Sequence, residues 1–259
     1  MVENKYFTIV KFAGVTGYVM APWLPGSTHD RVAVRHGANV SPWADESIHV
    51  HTNSEEYYFL VSGKLWLLVN NQTITLEPSE FLQVKPNIPH AIVKGQGGIE
   101  HFVIRIPAVD DKKVLAHLPA YLPQPRQGNE SGIHRSWGCR VSVDEAANRD
   151  CWLFGVGEAR FNSPRMYLAY MRYPDQEAAS GYRDSYHHVY HSHLQSYEIY
   201  VVLKGAKTLW VEGEYITVNA GEILQVHPGT KHIFHEMVAP FEGFTFRTPL
   251  RQDKVVFSE

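Results

Sequence analysis

The chain has 259 residues, 44% of them hydrophobic and 20% charged, with a formal net charge of −3. That length allows one large domain or two small ones, and the composition is ordinary for a soluble globular protein. The charge gives no electrostatic footprint for nucleic acid or an anionic membrane, and no apolar run approaches the roughly 18 residues that span a bilayer. The first residues, Met1 to Tyr6, lack a basic stretch followed by an apolar one, so the expected location is the cytoplasm. The two cysteines, Cys139 and Cys151, suggest no disulfide framework and read as small, partly buried side chains.

In chain order, Phe7–Val10 and Tyr18–Met20 read as strands, and Pro22, Pro25 and Gly26 break the pattern. Arg31–Arg35 alternates charge with apolar residues, as a half-buried strand does. A strand carrying His49 and His51 follows, then an apolar run that opens at Glu56 and that Gly63 is expected to end. Lys64–Val69 and Thr73–Leu76 form a hairpin around Asn70-Asn71, because Asn tolerates the left-handed conformation. Phe81–Val84 and His101–Ile106 close the first unit. Residues 108–148, rich in Pro and Gly after a charged turn at Asp110–Lys113, read as a connector with one short helix. Short strands separated by turn signals every 8–12 residues predict an all-β fold.

The chemistry lies in a repeated constellation. His49 and His51 alternate onto one face of a strand, Glu56 follows, and His90 stands further on. His191, His193, Glu198 and His232 repeat the pattern at a constant offset of 142 (191 − 49), which Gly63 and Gly205 share. The register continues through Gln83 and Gln225 and through Phe102–Pro107 and Phe244–Pro249. A repeat of this length is too long for a solenoid module and points to two like domains. Three imidazoles and one carboxylate, with no thiolate, suit Fe, Mn, Ni, Cu or Zn as a divalent ion.

These residues resemble the cupin superfamily, whose first motif is G-x5-H-x-H-x3–4-E-x6-G and second G-x5-P-x-G-x2-H-x3-N. The first motif stands as His49-x-His51-x4-Glu56-x6-Gly63 and His191-x-His193-x4-Glu198-x6-Gly205, with Trp43 and Ser185 in place of its leading Gly. The second stands as Ser79-x5-Lys85-x-Asn87-x2-His90 and Gly221-x5-His227-x-Gly229-x2-His232, with Lys94 and Glu236 in place of its final Asn. The resemblance implies a bicupin: two tandem cupin (double-stranded β-helix, jelly-roll) barrels, at 1–107 and 149–259 around a connector at 108–148. It implies one divalent metal per cupin domain, a small-molecule substrate and compatibility with a homodimer.

The leading expectation is a metal-dependent oxidoreductase, a dioxygenase of the quercetin-dioxygenase-like kind. The alternatives are a non-oxidative isomerase, lyase or decarboxylase, as in the oxalate-decarboxylase layout, and a non-catalytic binding module. Tyr58 and Tyr200 stand two residues past the glutamates and on their face, so they are candidates to contact substrate or orient a bound water, or else to pack. Arg105 and Arg247 are able to bind a carboxylate, but their parity reads as facing away from the site. Arg35 and Arg172 are rival anion binders, and Gln83 and Gln225 either reach the site or, as the preferred reading, face solvent. His187, His188 and His235 flank the second quartet. That quartet is expected to be the more active one, because Gly221 and Gly229 keep the family's turn pattern.

Overall fold

The computed structural model describes residues 2–24, 31–39, 47–116, 138–142, 151–155, 161–185 and 189–258. His187, His188, most of the expected connector and the side chain of Cys151 lie outside the described residues. The chain forms two compact units, one of residues 14–145 and one of residues 1–13 with 146–259. Among the described residues the first holds a nine-stranded sheet and the second an eleven-stranded sheet, each folded as a jelly roll.

Two long strands frame each unit. Glu55–Val69 pairs antiparallel with His90–Ile106 in the first, and Tyr197–Val211 with His232–Thr248 in the second. Every boundary keeps the offset of 142. Gly63 does not end its strand, as expected from sequence, but bends it. It has φ +80°, Gly205 has φ +71°, and the ladder register shifts around both. A β-bulge adds a residue, kinks the strand and increases its twist, so one continuous strand turns the corner of the jelly roll. Space also demands glycine. A Cβ on Gly205 would lie 2.2 Å from the Val238 carbonyl oxygen, and one on Gly63 3.0 Å from that of Gln96.

The turns follow the sequence reading. Asn70 and Asn71 have φ of 46° and 61°, and Glu212 and Gly213 take the equivalent hairpin with 47° and 100°. The second cupin motif shows why its glycines are replaceable. Ser79 and Asn87 adopt φ +65° and +63° where Gly221 and Gly229 adopt +86° and +79°. The loop geometry is thus kept without glycine in the first unit.

Inside each unit the same positions pack. Leu60, Leu67, Leu82 and Val84 form the first core with Tyr58, and Val202, Leu209, Leu224 and Val226 form the second with Tyr200. Two pieces of the expected connector are strands of the first sheet: Lys112–Ala116 pairs with Ile48–His51, and Gly138–Ser142 with Glu80–Val84. Phe7–Lys11, read from sequence with the first unit, pairs instead with Glu222–Val226 of the second. Among the described residues the α-helix is Gln176–Ser185. Asp175 caps it, its side chain accepting from the Ala178 amide at 2.9 Å. Among the described residues no helix is long and apolar enough to cross a membrane.

Glu242 closes a polar cluster on the second unit. It accepts from Tyr170 Oη at 2.5 Å and Lys204 Nζ at 2.6 Å, with Arg172 at 3.4 Å. Burial raises its pKa, but Lys204, Tyr170 and Arg172 outweigh burial and hold it below the usual range.

Two outcomes are expected. Gly205→Ala should cost about 2–4 kcal/mol, from left-handed strain and overpacking, and Gly63→Ala less, as read by chemical denaturation. Glu242 has a folded pKa below its unfolded one, so its contribution is present above the unfolded pKa near 4.5 and is lost as pH falls through the folded value. The fall in stability of Glu242→Gln between pH 5 and pH 3 should therefore be shallower than that of the parent chain, and parallel acid curves would contradict this.

Candidate metal centres

Each quartet is assembled by the strand register. His49 lies directly opposite His90, and His191 opposite His232. Glu56 and Glu198 enter from the long strand beside them. In each group the ligand-type atoms lie within 4.8 Å of one another. The two arrangements nearly superpose in their spacings. Ring centroids are 5.3, 4.4 and 6.0 Å apart in the first and 5.1, 4.4 and 6.1 Å apart in the second.

The proton positions follow from the outer contacts. A backbone carbonyl can only accept, so each imidazole that meets one carries its proton on Nδ1. Nδ1–H of His49 donates to the Ser47 carbonyl at 2.9 Å, and that of His90 to the Ile88 carbonyl at 2.7 Å. His51 donates to Asp111 Oδ1 at 2.7 Å. In the second unit His191 donates to Val189 at 2.7 Å, His232 to Thr230 at 3.0 Å and His193 to Asp253 at 3.2 Å. With Nδ1 protonated, each neutral imidazole keeps its lone pair on Nε2, the tautomer that binds a metal.

Inward, those lone pairs meet carboxylate oxygens. His51 and His90 Nε2 lie 3.1 Å from Glu56, while His232, His193 and His191 lie 2.9, 3.3 and 3.7 Å from Glu198. Acceptors converging this closely suit a cation between them. Protons on all three imidazoles would set like charges within about 6 Å in a buried site, which is unfavourable. A divalent metal satisfies every lone pair at once, so the two groupings are positioned to bind one ion each. The shifts differ within the first centre: against burial, contacts with Glu56 and Asp111 raise His51. Burial, then His90, push His49 down to about 4, leaving it neutral at neutral pH. Burial alone would raise Glu56, but His51 and His90 hold it well below the carboxylate range, and the three imidazoles do the same for Glu198.

The model for the Cupin domain matches residues 34–97 and 181–238, one segment over each quartet. The chain is a bicupin. Among solved structures it is similar to salicylate 1,2-dioxygenase from Pseudaminobacter salicylatoxidans, at TM-score 0.60 and 9% identity over 96% of this chain and 86% of that one. It is similar to oxalate decarboxylase from Bacillus subtilis, at 0.55 and 12% over 99% and 79%. Protein YlbA from E. coli gives 0.56 and 13% over 98% and 94%. At these identities the likeness is one of fold. No curated protein matches the sequence.

The bicupin's two centres differ beyond the quartets. In the first, Tyr58 Oη donates to Glu56 Oε2 at 2.7 Å and lines a cavity of about 280 Å³ that opens on His49 and His51. In the second, Tyr200 is buried, with Lys207 Nζ 4.8 Å from its ring centroid. Lys207 is itself buried and lies 3.6 Å from Met171 Sδ, where the first unit has Leu65.

Several sequence expectations change here. Arg105 faces the site and lines the cavity with Arg35. Its opposition to Phe102 and Ile104 was read correctly. However, those apolar residues pack on the other buried face of the sheet, so hydrophobicity did not mark the inside. Arg247 likewise approaches His193, at 3.3 Å from Nε2. Gln83 and Gln225 are buried, not solvent-facing. Gln83 donates to Glu55 at 3.4 Å and to Tyr57 at 3.3 Å on the face away from the metal centre. Arg172 pairs with Glu242, and His235 stacks near Tyr215, so neither joins the second quartet.

Asp111 and Asp253 were missed as site residues. Each holds its histidine and also accepts from two backbone amides and a serine hydroxyl: Asn53 and Ser54, with Ser54 Oγ, or Gln195 and Ser196, with Ser196 Oγ. Both aspartates obey the offset of 142, as do Lys112 and Lys254 on the strand beside the histidines. Following the repeat past residue 107 would have found all four.

Asp111→Asn should weaken metal binding at the first centre by about 10–100-fold while the second keeps its affinity. Stepwise Zn(II) titration against a chelating indicator resolves the two classes, and equal affinities at both centres would contradict the assignment.

Proposed function

We propose that this bicupin is a metal-dependent enzyme acting on a small organic metabolite, with dioxygenase chemistry as the leading reading. The observation that carries it is the paired convergence of three inward Nε2 atoms and one carboxylate. In the first unit that convergence lies beside a cavity able to admit a small molecule. His49, His51, Glu56 and His90 would hold one ion, and His191, His193, Glu198 and His232 the other. Four protein donors leave room on a five- or six-coordinate Fe, Mn, Ni, Cu or Zn ion. Such a metal, once bound, polarises a substrate oxygen and, where redox-active, activates dioxygen.

The surrounding side chains have their own tasks. Tyr58 fixes the orientation of Glu56 by donating to Oε2, which leaves Oε1 facing His51. Asp111, itself anchored by the Asn53 and Ser54 amides, holds the His51 ring in one tautomer. Tyr58 and Val103 supply part of the cavity wall and exclude water from that side of the centre. We assign Tyr200 a packing and positioning role in the second unit, since its buried ring lies against Lys207.

The cationic lining of the cavity favours a second reading, a non-oxidative lyase or decarboxylase in which the metal acts as a Lewis acid. Oxygen dependence separates the two. The leading reading expects turnover to stop in anaerobic buffer and to track oxygen consumption. Unchanged anaerobic turnover, retained with Zn(II), would replace it with the second. Glu198→Ala and His232→Ala should each remove the second unit's metal, halving the content measured by mass spectrometry, while circular dichroism stays unchanged. Full metal content in either variant would refute the ligand assignment.

A further inference from the structure

His36 and Glu100 lie outside both metal quartets and form a separate polar pair in the first unit. His36 stands on the strand Ala33–Asn39 and is 2% exposed, with its ring 5.0 Å from that of Phe102. Its Nδ1 meets the Val15 carbonyl at 2.5 Å, and its Nε2 meets Glu100 Oε1 at 3.2 Å. A carbonyl and an ionised carboxylate can only accept. One proton on the ring satisfies one of these contacts, so both hold together only when a second proton sits between Nε2 and Glu100. The neighbouring groups do not supply it. On the strand of Glu100, His101 is pushed down to about 4 by burial, then by Arg35 and His36, and so stays neutral. Arg35, on the strand of His36, keeps its charge throughout. The turn Gly14–Gly17 brings no titratable side chain, and Ser62 faces Glu100 across the ladder.

What this imidazole holds is a turn. Gly14 and Gly17 have φ of +76° and +132°, and a Cβ on either would meet nothing within 4 Å, so the turn is loosely packed there. Thr16 Oγ1 adds a donation to the Ala38 carbonyl at 3.3 Å. The turn leads into the strand Gly17–Met20, whose Tyr18 lines the cavity beside His49 and His51. The Tyr18 ring stands edge-on to Trp23 at 5.0 Å, and Trp23 lies under the Arg105 guanidinium at 4.8 Å. Anchoring the turn therefore anchors one wall of the cavity. The second unit supplies an internal comparison. Glu242 stands where Glu100 does, offset by 142, and Tyr170 pairs with Phe244 as His36 pairs with Phe102. Glu242 is held by Tyr170, Lys204 and Arg172, whose side chains do not ordinarily titrate near neutral pH. The fold does not require a histidine at this place.

We infer that His36 and Glu100 form a proton-held latch, which fixes the Gly14–Gly17 turn and with it Tyr18 at the cavity wall, and which releases the turn when the pair loses its second proton. Closing the latch takes up one proton relative to the open turn. By linkage the closed form is favoured as pH falls and released as pH rises, by up to about ten-fold per pH unit. The latch stands whichever reaction the neighbouring centre carries, and whether or not that centre holds a metal.

The test is hydrogen–deuterium exchange of the full chain from pH 6.0 to 8.5, read by mass spectrometry and divided by the intrinsic exchange rate at each pH. It is run on Zn(II)-loaded and on metal-free protein. Protection of the peptide spanning residues 13–20 should fall by about ten-fold or more over this range. The hairpin peptide spanning residues 64–76 should keep its protection. In Glu100→Gln the amide is able to donate to Nε2 while Nδ1–H still faces Val15, so the latch closes without the extra proton. Protection of 13–20 in that variant should stay within about two-fold across the range. In His36→Leu it should be low and independent of pH. Constant protection in the parent chain would overturn the inference, as would a fall as steep as the parent's in either variant. A fall confined to the metal-loaded sample, or shared by residues 64–76, would trace to the quartet or to the whole unit and would overturn it too.

Discussion

The structure depends on committing one proton per imidazole to the outside. Six histidines are buried or nearly so, and each spends Nδ1–H on a carbonyl or an aspartate behind it. That choice turns six donors into six inward acceptors around two carboxylates. The sheet makes it possible. Register places His49 against His90 and His191 against His232, and the turns before each strand bring the accepting carbonyls within reach. The glycine bulges at 63 and 205 serve the same end, since they let one strand carry the ligand glutamate and still complete the opposite wall of the jelly roll. A metal centre of this kind is less a set of four residues than a set of four residues with their backs secured.

Identical quartets stand in different surroundings. The first unit ties Tyr58 to its glutamate and lines an open cavity with Arg35, Arg105 and Lys112. The second buries Lys207 between Tyr200 and Met171, where its counterpart is Leu65, and sets Ala169 in the place of Arg35. The two units share the geometry of the quartet and differ in the approach to it. The turn glycines of the second unit, which in sequence made it the better candidate for activity, do not set its loop geometry apart. Ser79 and Asn87 reach the same left-handed conformations.

Much of this was legible in the sequence because the repeat is exact in spacing. An offset of 142 located both quartets and the strands that carry them. What escaped did so for physical reasons. The sheets are buried on both faces, so alternation told which residues share a side but not which side holds the metal; Arg105 and Gln83 were misplaced by that ambiguity. Asp111 and Asp253 sit in turns rich in polar residues, where an aspartate's ordinary role is solvation, and only their shared spacing marks them. Helix Gln176–Ser185 interrupts a strand-rich stretch without an apolar period to announce it. The strand at Phe7–Lys11 pairs with a partner that no local pattern can name.

That strand has a consequence for how the molecule is made. Thr8 meets His227 across 219 residues of chain, so a segment synthesised earlier completes a sheet whose other strands are synthesised later. Contacts of such span are slow to form, because loop closure must precede any gain from pairing. The unit of residues 14–145 has all its strands once its own sequence has emerged, whereas the other must wait with an open edge at Glu222–Val226. A gene fragment cut between the two repeats would divide the sequence at its visible seam and still leave the C-terminal piece one strand short.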